Sequence, residues 1–315
     1  MGAMDILVAG GAGYIGSVCV HALIEAGHSV TVLDNLSTGH RDAVHPDANL
    51  IEGSIHDAPE LIQRPFDAAM HFAARSLVAQ SVAEPDLYWE TNVVGSLQLV
   101  RALRAAGVPR LVFSSTAATY GEPIAPVIDE DHPTRPVNTY GATKLAVDHL
   151  LASYCREGFS AISLRYFNVG GSARGLGERH EPETHLVPLV LRAARDATAV
   201  NVFGDDYPTP DGTCVRDYLH VEDLALAHLR ALEANLDGHT VINLGTGSGY
   251  SVREVIESAR AVTGRPVIEK AAGRRPGDPA RLVASNARAG ELLGWQPERG
   301  LTEVVASAWE FYRSA

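Results

Sequence analysis

Short apolar runs alternate with stretches of helical spacing along the first half of the chain. Ile6-Leu7-Val8-Ala9 is apolar throughout and ends in glycines. Residues 14–26 repeat apolar side chains at the spacing of one helix face and stop at Gly27. Val30-Thr31-Val32-Leu33 is the next run, followed by a turn from Asn35 to Gly39. Ala68-Ala69-Met70-His71-Phe72, Arg110-Leu111-Val112-Phe113 and Ala161-Ile162-Ser163-Leu164-Arg165 continue the series. Helical periodicity fills 86–106, closed by Gly107, and 138–157. Runs without polar alternation suit strands buried on both faces. Strands separated by whole helices require right-handed crossovers. The pattern predicts a doubly wound parallel α/β sheet.

The texture changes after Asn168. Gly170, Gly171, Gly175, Gly177 and Pro182 crowd a charged stretch over 170–183, which reads as a loop and a domain boundary. Beyond it the elements are shorter and more mixed. We assign residues 1–170 to a first domain. Segment 211–245 returns to it through a helical pattern and the strand Thr240-Val241-Ile242-Asn243. Residues 171–210 and 246–315 form a smaller mixed α/β domain. No internal repeat or low-complexity tract interrupts the pattern.

Composition narrows the classes. The chain has 315 residues, 46% hydrophobic and 20% charged, which excludes a disordered chain. No apolar run is long enough to span a bilayer, so no membrane partner is expected. Lys and Arg number 26 against 38 Asp and Glu, a net charge of −12, which disfavours nucleic acid. Cys19, Cys155 and Cys214 are odd in number and widely spaced, matching neither a disulfide framework nor a zinc site. No metal is expected, and reduced thiols point to the cytoplasm. The N-terminus has no charged head, apolar core and cleavage site of a secretory signal.

Gly10-Gly11-Ala12-Gly13-Tyr14-Ile15-Gly16 lies between the first strand and the first helix. Gly11, Gly13 and Gly16 satisfy G-x-G-x-x-G, while Gly10, Gly13 and Gly16 satisfy G-x-x-G-x-x-G. Glycines there permit a tight turn, close backbone approach to a pyrophosphate and close helix–strand packing. The helix start adds free N–H groups and a partial positive charge. Asp34 ends the second strand, where a carboxylate accepts from both ribose hydroxyls and repels a 2′-phosphate. The expected cofactor is therefore NAD, on a Rossmann-type domain.

Tyr140-Gly141-Ala142-Thr143-Lys144 places a phenol and an ammonium on one helix face. The lysine charge is expected to lower the phenol from its usual value near 10 and make it a base near neutral pH. Ser114-Ser115-Thr116 ends the strand Leu111–Phe113, where the ligands of an open parallel sheet sit. Strand-end capping is an equally ordinary role for Ser114, and Thr116 is the better candidate to hold a reacting oxygen.

These features together resemble the extended short-chain dehydrogenase/reductase superfamily, and within it the UDP-glucose (UDP-galactose) 4-epimerases. The resemblance runs through Gly10–Ser17 (GGAGYIGS), Leu33-Asp34-Asn35-Leu36, His71-Phe72-Ala73-Ala74, Asn92 and Phe113–Gly121 (FSSTAATYG). It continues through Tyr140–Lys144, Leu164–Asn168 (LRYFN), Asp205–Gly212, Val215–His220 (VRDYLH) and Asn243-Leu244-Gly245. It implies a smaller UDP-sugar-binding domain and a homodimer joined through helices 86–106 and 138–157. It implies that C4 of a UDP-hexose is oxidised, that the 4-ketose swings about its diphosphate link, and that the same hydride returns to the other face.

The resemblance also implies roles. Tyr140 is the base, Lys144 tunes it and holds the nicotinamide ribose, and Thr116 bonds the sugar 4-oxygen. The cofactor set is Gly10, Gly13, Tyr14, Ile15, Gly16, Asp34, Asn35, Ser54, Ile55, Phe72, Ala73, Ala74, Asn92, Ser114 and Tyr166, with Tyr140 and Lys144. Asn168 reaches a diphosphate or sugar oxygen, and backbone N–H groups at His185 and Leu186 meet uracil or phosphate. Phe203 flanks the uracil, and Tyr218 completes the pocket. Arg216 and Arg275 pair with the diphosphate, while Asp278, beside Arg274 and Gly277, holds the uridine ribose. Ser54 stands where many members place an adenine-binding Asp, Ser76 where some have a Lys, and His185 where some have Asn. Leu282 aligns with the hexose 2-substituent, a bulky Tyr in some members, so N-acetylated sugars are expected to fit.

Rival readings remain at this stage. Dehydratases of the superfamily carry Asp and Glu after the strand-end Thr, and UDP-glucuronate decarboxylases a Glu. Here the positions are Ala117 and Ala118, so no general acid for elimination is supplied. A UDP-glucuronate 4-epimerase needs a carboxylate contact that the sequence does not display. A non-catalytic NAD sensor often lacks the Tyr or the Lys, and both are here. An interaction scaffold rests on fold analogy alone.

Overall fold

The computed structural model describes residues 2–156, 158–275 and 278–314. Seven parallel strands form the central sheet: β1 (Asp5–Ala9), β2 (Ser29–Asp34), β3 (Asn49–Glu52), β4 (Ala68–His71), β5 (Arg110–Thr116), β6 (Ser160–Tyr166) and β7 (His239–Leu244). Their spatial order is β7-β6-β5-β4-β1-β2-β3, all parallel. The order reverses between β1 and β4. At that point connections leave to opposite faces and open a crevice beyond the carboxyl ends of the strands. This is the sheet expected from the apolar runs, including the returning strand at 239–244.

Alternate residues of each strand enter separate cores. Ile6, Val8, Val32, Met70, Val112 and Ile162 pack on the face covered by helices Tyr14–Glu25 and Val221–Glu233. Leu7, Leu33, Ala69, Leu111, Phe113 and Ala161 pack on the face covered by Gly95–Ala105 and Thr139–Tyr154. Both faces are dry, which is why the strands read as continuous apolar runs. β3 breaks the pattern. It lies at the sheet edge with half-exposed residues and lacks the buried run that marked the others. The expected helix 86–106 is one rod in three pieces, Pro85–Tyr88, a wide π turn Trp89–Val94, and Gly95–Ala105.

A third core gathers helices Leu186–Asp196, Val252–Thr263 and Leu301–Ser314 around Val190, Leu191, Val255, Ile256, Val304 and Val305. Two small sheets edge it, Ala199–Phe203 with Ile268–Ala272, and Tyr250–Ser251 with Val215–Arg216 and Arg281–Leu282. The seam to the central sheet is densely bonded. The Tyr14 hydroxyl donates to the Gly171 carbonyl at 2.6 Å. Arg174 binds both Glu25, at 2.9 Å, and Glu222. Ser172 donates from its hydroxyl to the Ser307 carbonyl at 2.6 Å.

Cys19, Cys155 and Cys214 are unpaired. Among the described residues, no helix is long and apolar enough to cross a membrane.

Candidate active site

The first strand turn is built from backbone contacts that exclude side chains. Gly10 has φ +83°, and a Cβ there would lie 2.4 Å from the Ala73 nitrogen. A Cβ on Gly16 would lie 2.1 Å from the Gly10 carbonyl oxygen. Either substitution forces the loop and helix apart. Gly13 differs, since the nearest protein atom to its Cβ position is 3.5 Å away. Internal packing does not demand glycine there; the missing side chain instead leaves the mouth of helix Tyr14–Glu25 uncovered. Gly13 is the N-cap of that helix and makes no side-chain cap bond. The amides that follow, at Tyr14 and Ile15, are donors at an uncapped helix start, which fits a pyrophosphate.

Asp34 is buried at the end of β2 and accepts from the amides of Ala12, at 2.9 Å, and Leu36, at 2.8 Å. It therefore holds the glycine loop as well as standing where a ribose would sit. Asn35 is exposed and accepts from Ser37 at 3.1 Å. Ser54 caps a short turn, accepting from His56 at 3.2 Å, with Ile55 buried behind it. Phe72 and Ala73 both donate to the Ala9 carbonyl, at 2.7 and 3.1 Å, which puts the end of β4 against the glycine loop, with Ala74 next in the chain. Asn92 donates to the Arg75 carbonyl at 3.0 Å and to Thr143 at 3.1 Å. Both of its N–H groups are used to lock the loop after β4 onto the helix that carries Tyr140, so the structure gives it a positioning place rather than a free donor.

The reactive side chains meet at the ends of β5 and β6. Thr116 ends β5, accepts from the Ala118 amide at 3.2 Å, and hydrogen-bonds the Tyr140 phenol. Asn138 caps the helix Thr139–Tyr154, accepting from Gly141 at 2.8 Å, and so fixes where Tyr140 enters it. Ser114 and Tyr166 share a hydrogen bond across the adjacent strand ends. Lys144 is buried, donates to the Ser114 carbonyl at 2.8 Å and lies 4.8 Å from the Phe113 ring centre.

The expected charge effect of Lys144 on Tyr140 is not what governs the phenol here. Burial pushes Tyr140 up to about 12, opposed by the Thr116 hydrogen bond. Burial likewise pulls Lys144 down to about 7, with Asp148 opposing. The two residues share a face, but the ammonium is drawn to a strand carbonyl and a ring instead of the phenol oxygen.

The residues expected to meet a substrate are partly brought together. Arg275 stacks on Phe203, with its guanidinium carbon 3.9 Å from the ring centre. Arg216 is buried and pairs with Asp278 at 3.0 Å, also donating to the Val215 and Pro279 carbonyls at 2.8 and 2.9 Å. The two residues assigned to diphosphate and to ribose thus hold each other. Tyr218 is buried beside them, and its strand pairs in register with Asn168. Leu282 packs with Ala117, Tyr120, Ile128 and Phe167, next to the Thr116 turn. Gly277 lies outside the described residues.

His185 stands among carboxylates. Its ring is 2.7 Å from Glu178 and 3.2 Å from Glu183, and its own amide donates to Glu183 at 2.8 Å. Both the side chain and the N–H assigned to a ligand are taken by carboxylates. Leu186 begins the following helix as expected.

Two carboxylates escaped the sequence reading. Asp217 is fully buried and accepts from Thr246 N–H and O–H, at 2.8 and 2.6 Å, and from Gly247 and Ala284, at 3.3 and 3.2 Å. A Cβ on Gly245 would lie 2.5 Å from it, so Asp217 explains the pairing of the VRDYLH and Asn243-Leu244-Gly245 motifs. Its position between Arg216 and Tyr218 was the available signal. Asp148, one helical turn after Lys144, pairs with buried Arg165 at 2.7 Å. That guanidinium lies 4.9 Å from the Tyr120 ring centre.

Residues 6–245 match the NAD dependent epimerase/dehydratase family. The chain belongs to that family. It is 55% identical over 316 residues to the UDP-glucose 4-epimerase of Corynebacterium glutamicum, covering 98% of this chain and 95% of that one. Its fold superposes on the UDP-glucose 4-epimerase from Brucella ovis in complex with NAD with a TM-score of 0.94, at 42% identity and 98% of each chain. The UDP-Glc/GlcNAc 4-epimerase of Campylobacter jejuni gives a TM-score of 0.88 at 37% identity over the full length of both chains. In this epimerase/dehydratase family member the cofactor is NAD, and the glycine loop, helix mouth and Asp34 described above fit it.

The buried Lys144 makes a pH signature. Below about 7 the lysine is protonated in folded and unfolded chains alike, and burying that charge costs stability. Between about 7 and its unfolded value near 10.4 only the unfolded chain binds the proton, so this cost falls as pH rises. Urea unfolding of wild type and Lys144→Met across pH 6 to 9 (about one-unit steps) should show wild type gaining relative to the variant above about pH 7. A difference that stays constant with pH would remove the burial argument.

Proposed function

We propose that this chain is an NAD-dependent UDP-glucose 4-epimerase, an isomerase that inverts C4 of a UDP-hexose. The observation that carries the reading is the Thr116–Tyr140 pair beyond the carboxyl end of the sheet, followed by Ala117 and Ala118. A hydroxyl and a phenol there can hold an alcohol oxygen and move its proton, while no carboxyl group stands beside them to drive elimination. The dehydratase and decarboxylase readings lack that group.

In this reading Tyr140, as phenolate, takes the proton of the sugar 4-hydroxyl and returns it after inversion. Thr116 orients the same oxygen. Lys144, fixed by the Ser114 carbonyl and the Phe113 ring, has two further N–H donors for the nicotinamide ribose. When bound, NAD supplies a hydride acceptor that later returns the same hydride, and a positive ring that favours the phenolate. The cofactor belongs to the domain formed by 1–170 and 211–245. The uridine diphosphate belongs to that formed by 171–210 and 246–315. There the Phe203–Arg275 stack suits a base and its phosphates, and the Arg216–Asp278 pair presents one charge of each sign to diphosphate and ribose. The anchor is charged and aromatic, and the residues beside Thr116 are small or apolar, an arrangement that grips the nucleotide and leaves the hexose free to turn over.

A second activity follows from Leu282. Leu282 packs with Ala117 beside the Thr116 turn and is smaller than the Tyr some members carry there, so we extend the reading to UDP-N-acetylhexosamines. We also propose a homodimer through the expected helix 86–106 and its neighbour Thr139–Tyr154. The supporting observation is exposed apolar surface at Trp89 and Val94 on the first of these, continued by Val78 and Val82 on the short helix Val78–Ala83 before it. The free thiols suit the cytoplasm.

Tyr140→Phe should lower turnover of UDP-galactose by about 10²–10⁴-fold while bound NAD(H) remains visible in the ultraviolet spectrum; full activity would exclude the mechanism. Leu282→Tyr should abolish turnover of UDP-N-acetylgalactosamine and spare UDP-galactose. If the wild type already ignores the N-acetyl sugar, the second activity is wrong. Sedimentation equilibrium should give twice the chain mass, and a monomer would remove the dimer.

A further inference from the structure

Four side chains that the proposed reaction does not use converge where the glycine-rich loop enters helix Leu186–Asp196. They are Glu178, His180, Glu183 and His185, two copies of Glu-x-His in one stretch of chain. One donor atom from each lies within 4.8 Å of every other. His180 Nδ1 is 2.8 Å and His185 Nδ1 2.7 Å from the same Glu178 oxygen, and Glu183 is 3.2 Å from His185. The two carboxylate side chains are almost wholly buried, at 6% and 1% exposure. Among the described residues neither has an ion pair with a lysine or arginine. Arg179, between them in sequence, turns away to Asp42 at 2.9 Å. Two buried carboxylates beside two imidazoles, with no lysine or arginine among their described ion-pair partners, are an N2O2 donor set, not a surface acidic cluster.

We propose that Glu178, His180, Glu183 and His185 bind one divalent transition-metal cation of the zinc class. Imidazole and carboxylate ligands sit about 2.0–2.2 Å from zinc, so tetrahedral donors are separated by roughly 3.3–3.6 Å. The separations here bracket that range, and side-chain rotation alone can close the shell. The His-x4-His spacing falls among those of zinc sites. Outer contacts already orient the ligands. Glu183 accepts from the Thr184 and His185 amides at 2.7 and 2.8 Å, and Tyr312 donates to the Glu178 carbonyl at 2.9 Å. Four protein ligands leave no open position for substrate, so the site is structural. It fastens the loop that descends from Gly171, where Tyr14 is held, to the first helix of the smaller domain. The proposal does not depend on the identity of the sugar.

The test uses untagged full-length protein, stripped with a chelator and returned to neutral buffer. Zinc chloride titrated against a chromophoric competitor should bind at one equivalent per chain and raise the thermal midpoint, and the chelator should reverse both. Cobalt(II) in its place should give the visible d–d bands of a four-coordinate ion. His180→Ala and Glu183→Gln should each weaken zinc binding by about 10–100-fold or more. Circular dichroism confirms that each variant is folded before titration. Absence of stoichiometric zinc binding overturns the site and leaves the cluster as histidine–glutamate ion pairs. Binding undiminished in both variants, or a six-coordinate cobalt spectrum, overturns it equally.

Discussion

Everything in the site rests on a contact between two stretches of backbone. The Gly10 carbonyl lies so close to Gly16 that no Cβ can come between them, and Gly10 itself lies against the Ala73 amide. That contact sets the height of helix Tyr14–Glu25 above the sheet and brings the end of β4 under the loop. Because β1 and β4 are neighbours at the point where strand order reverses, the same contact defines the crevice. Asp34 then has one task inside the protein, holding the Ala12 and Leu36 amides, and one facing outward.

Burial acts on the reactive pair in one direction. It disfavours charge on both Tyr140 and Lys144, raising one group and lowering the other. The protein alone therefore keeps the phenol neutral and the lysine easily deprotonated. A phenolate there needs a positive charge beyond those the protein itself sets beside it. Beneath it lies the Asp148–Arg165 pair, whose cost of burial is met by close hydrogen bonds. It continues through the Tyr120 ring to Asn243, which accepts from the Tyr120 hydroxyl at 2.7 Å. This chain of contacts links the helix Thr139–Tyr154 to β6 and β7.

The central sheet was legible because both its faces are dry. Six of its seven strands read as apolar runs, and β3 did not because its residues are half-exposed at an edge. The rod over 86–106 was legible as helix, but nothing in apolar spacing marks the π turn Trp89–Val94. The positions of Tyr140 near a helix start and of Thr116 and Asp34 at strand ends were legible, since they follow from local geometry. The carboxylate partners of His185, Glu178 and Glu183, were not legible because they reach it through an irregular loop with no period to read. Asp217 was passed over for a related reason: its bonds run to residues 246, 247 and 284, distances along the chain that no local pattern encodes.

The seam between the central sheet and the smaller domain has a kinetic meaning. Tyr14 grips Gly171, Arg174 grips two helices, and Ser172 grips Ser307, all within a few residues of the chain's crossing. A junction stitched at so many points resists hinging. The crevice above the central sheet and the smaller domain are thereby tied side by side. The half-turn that inversion at C4 demands then falls to the sugar, pivoting about its diphosphate inside a frame that stays still.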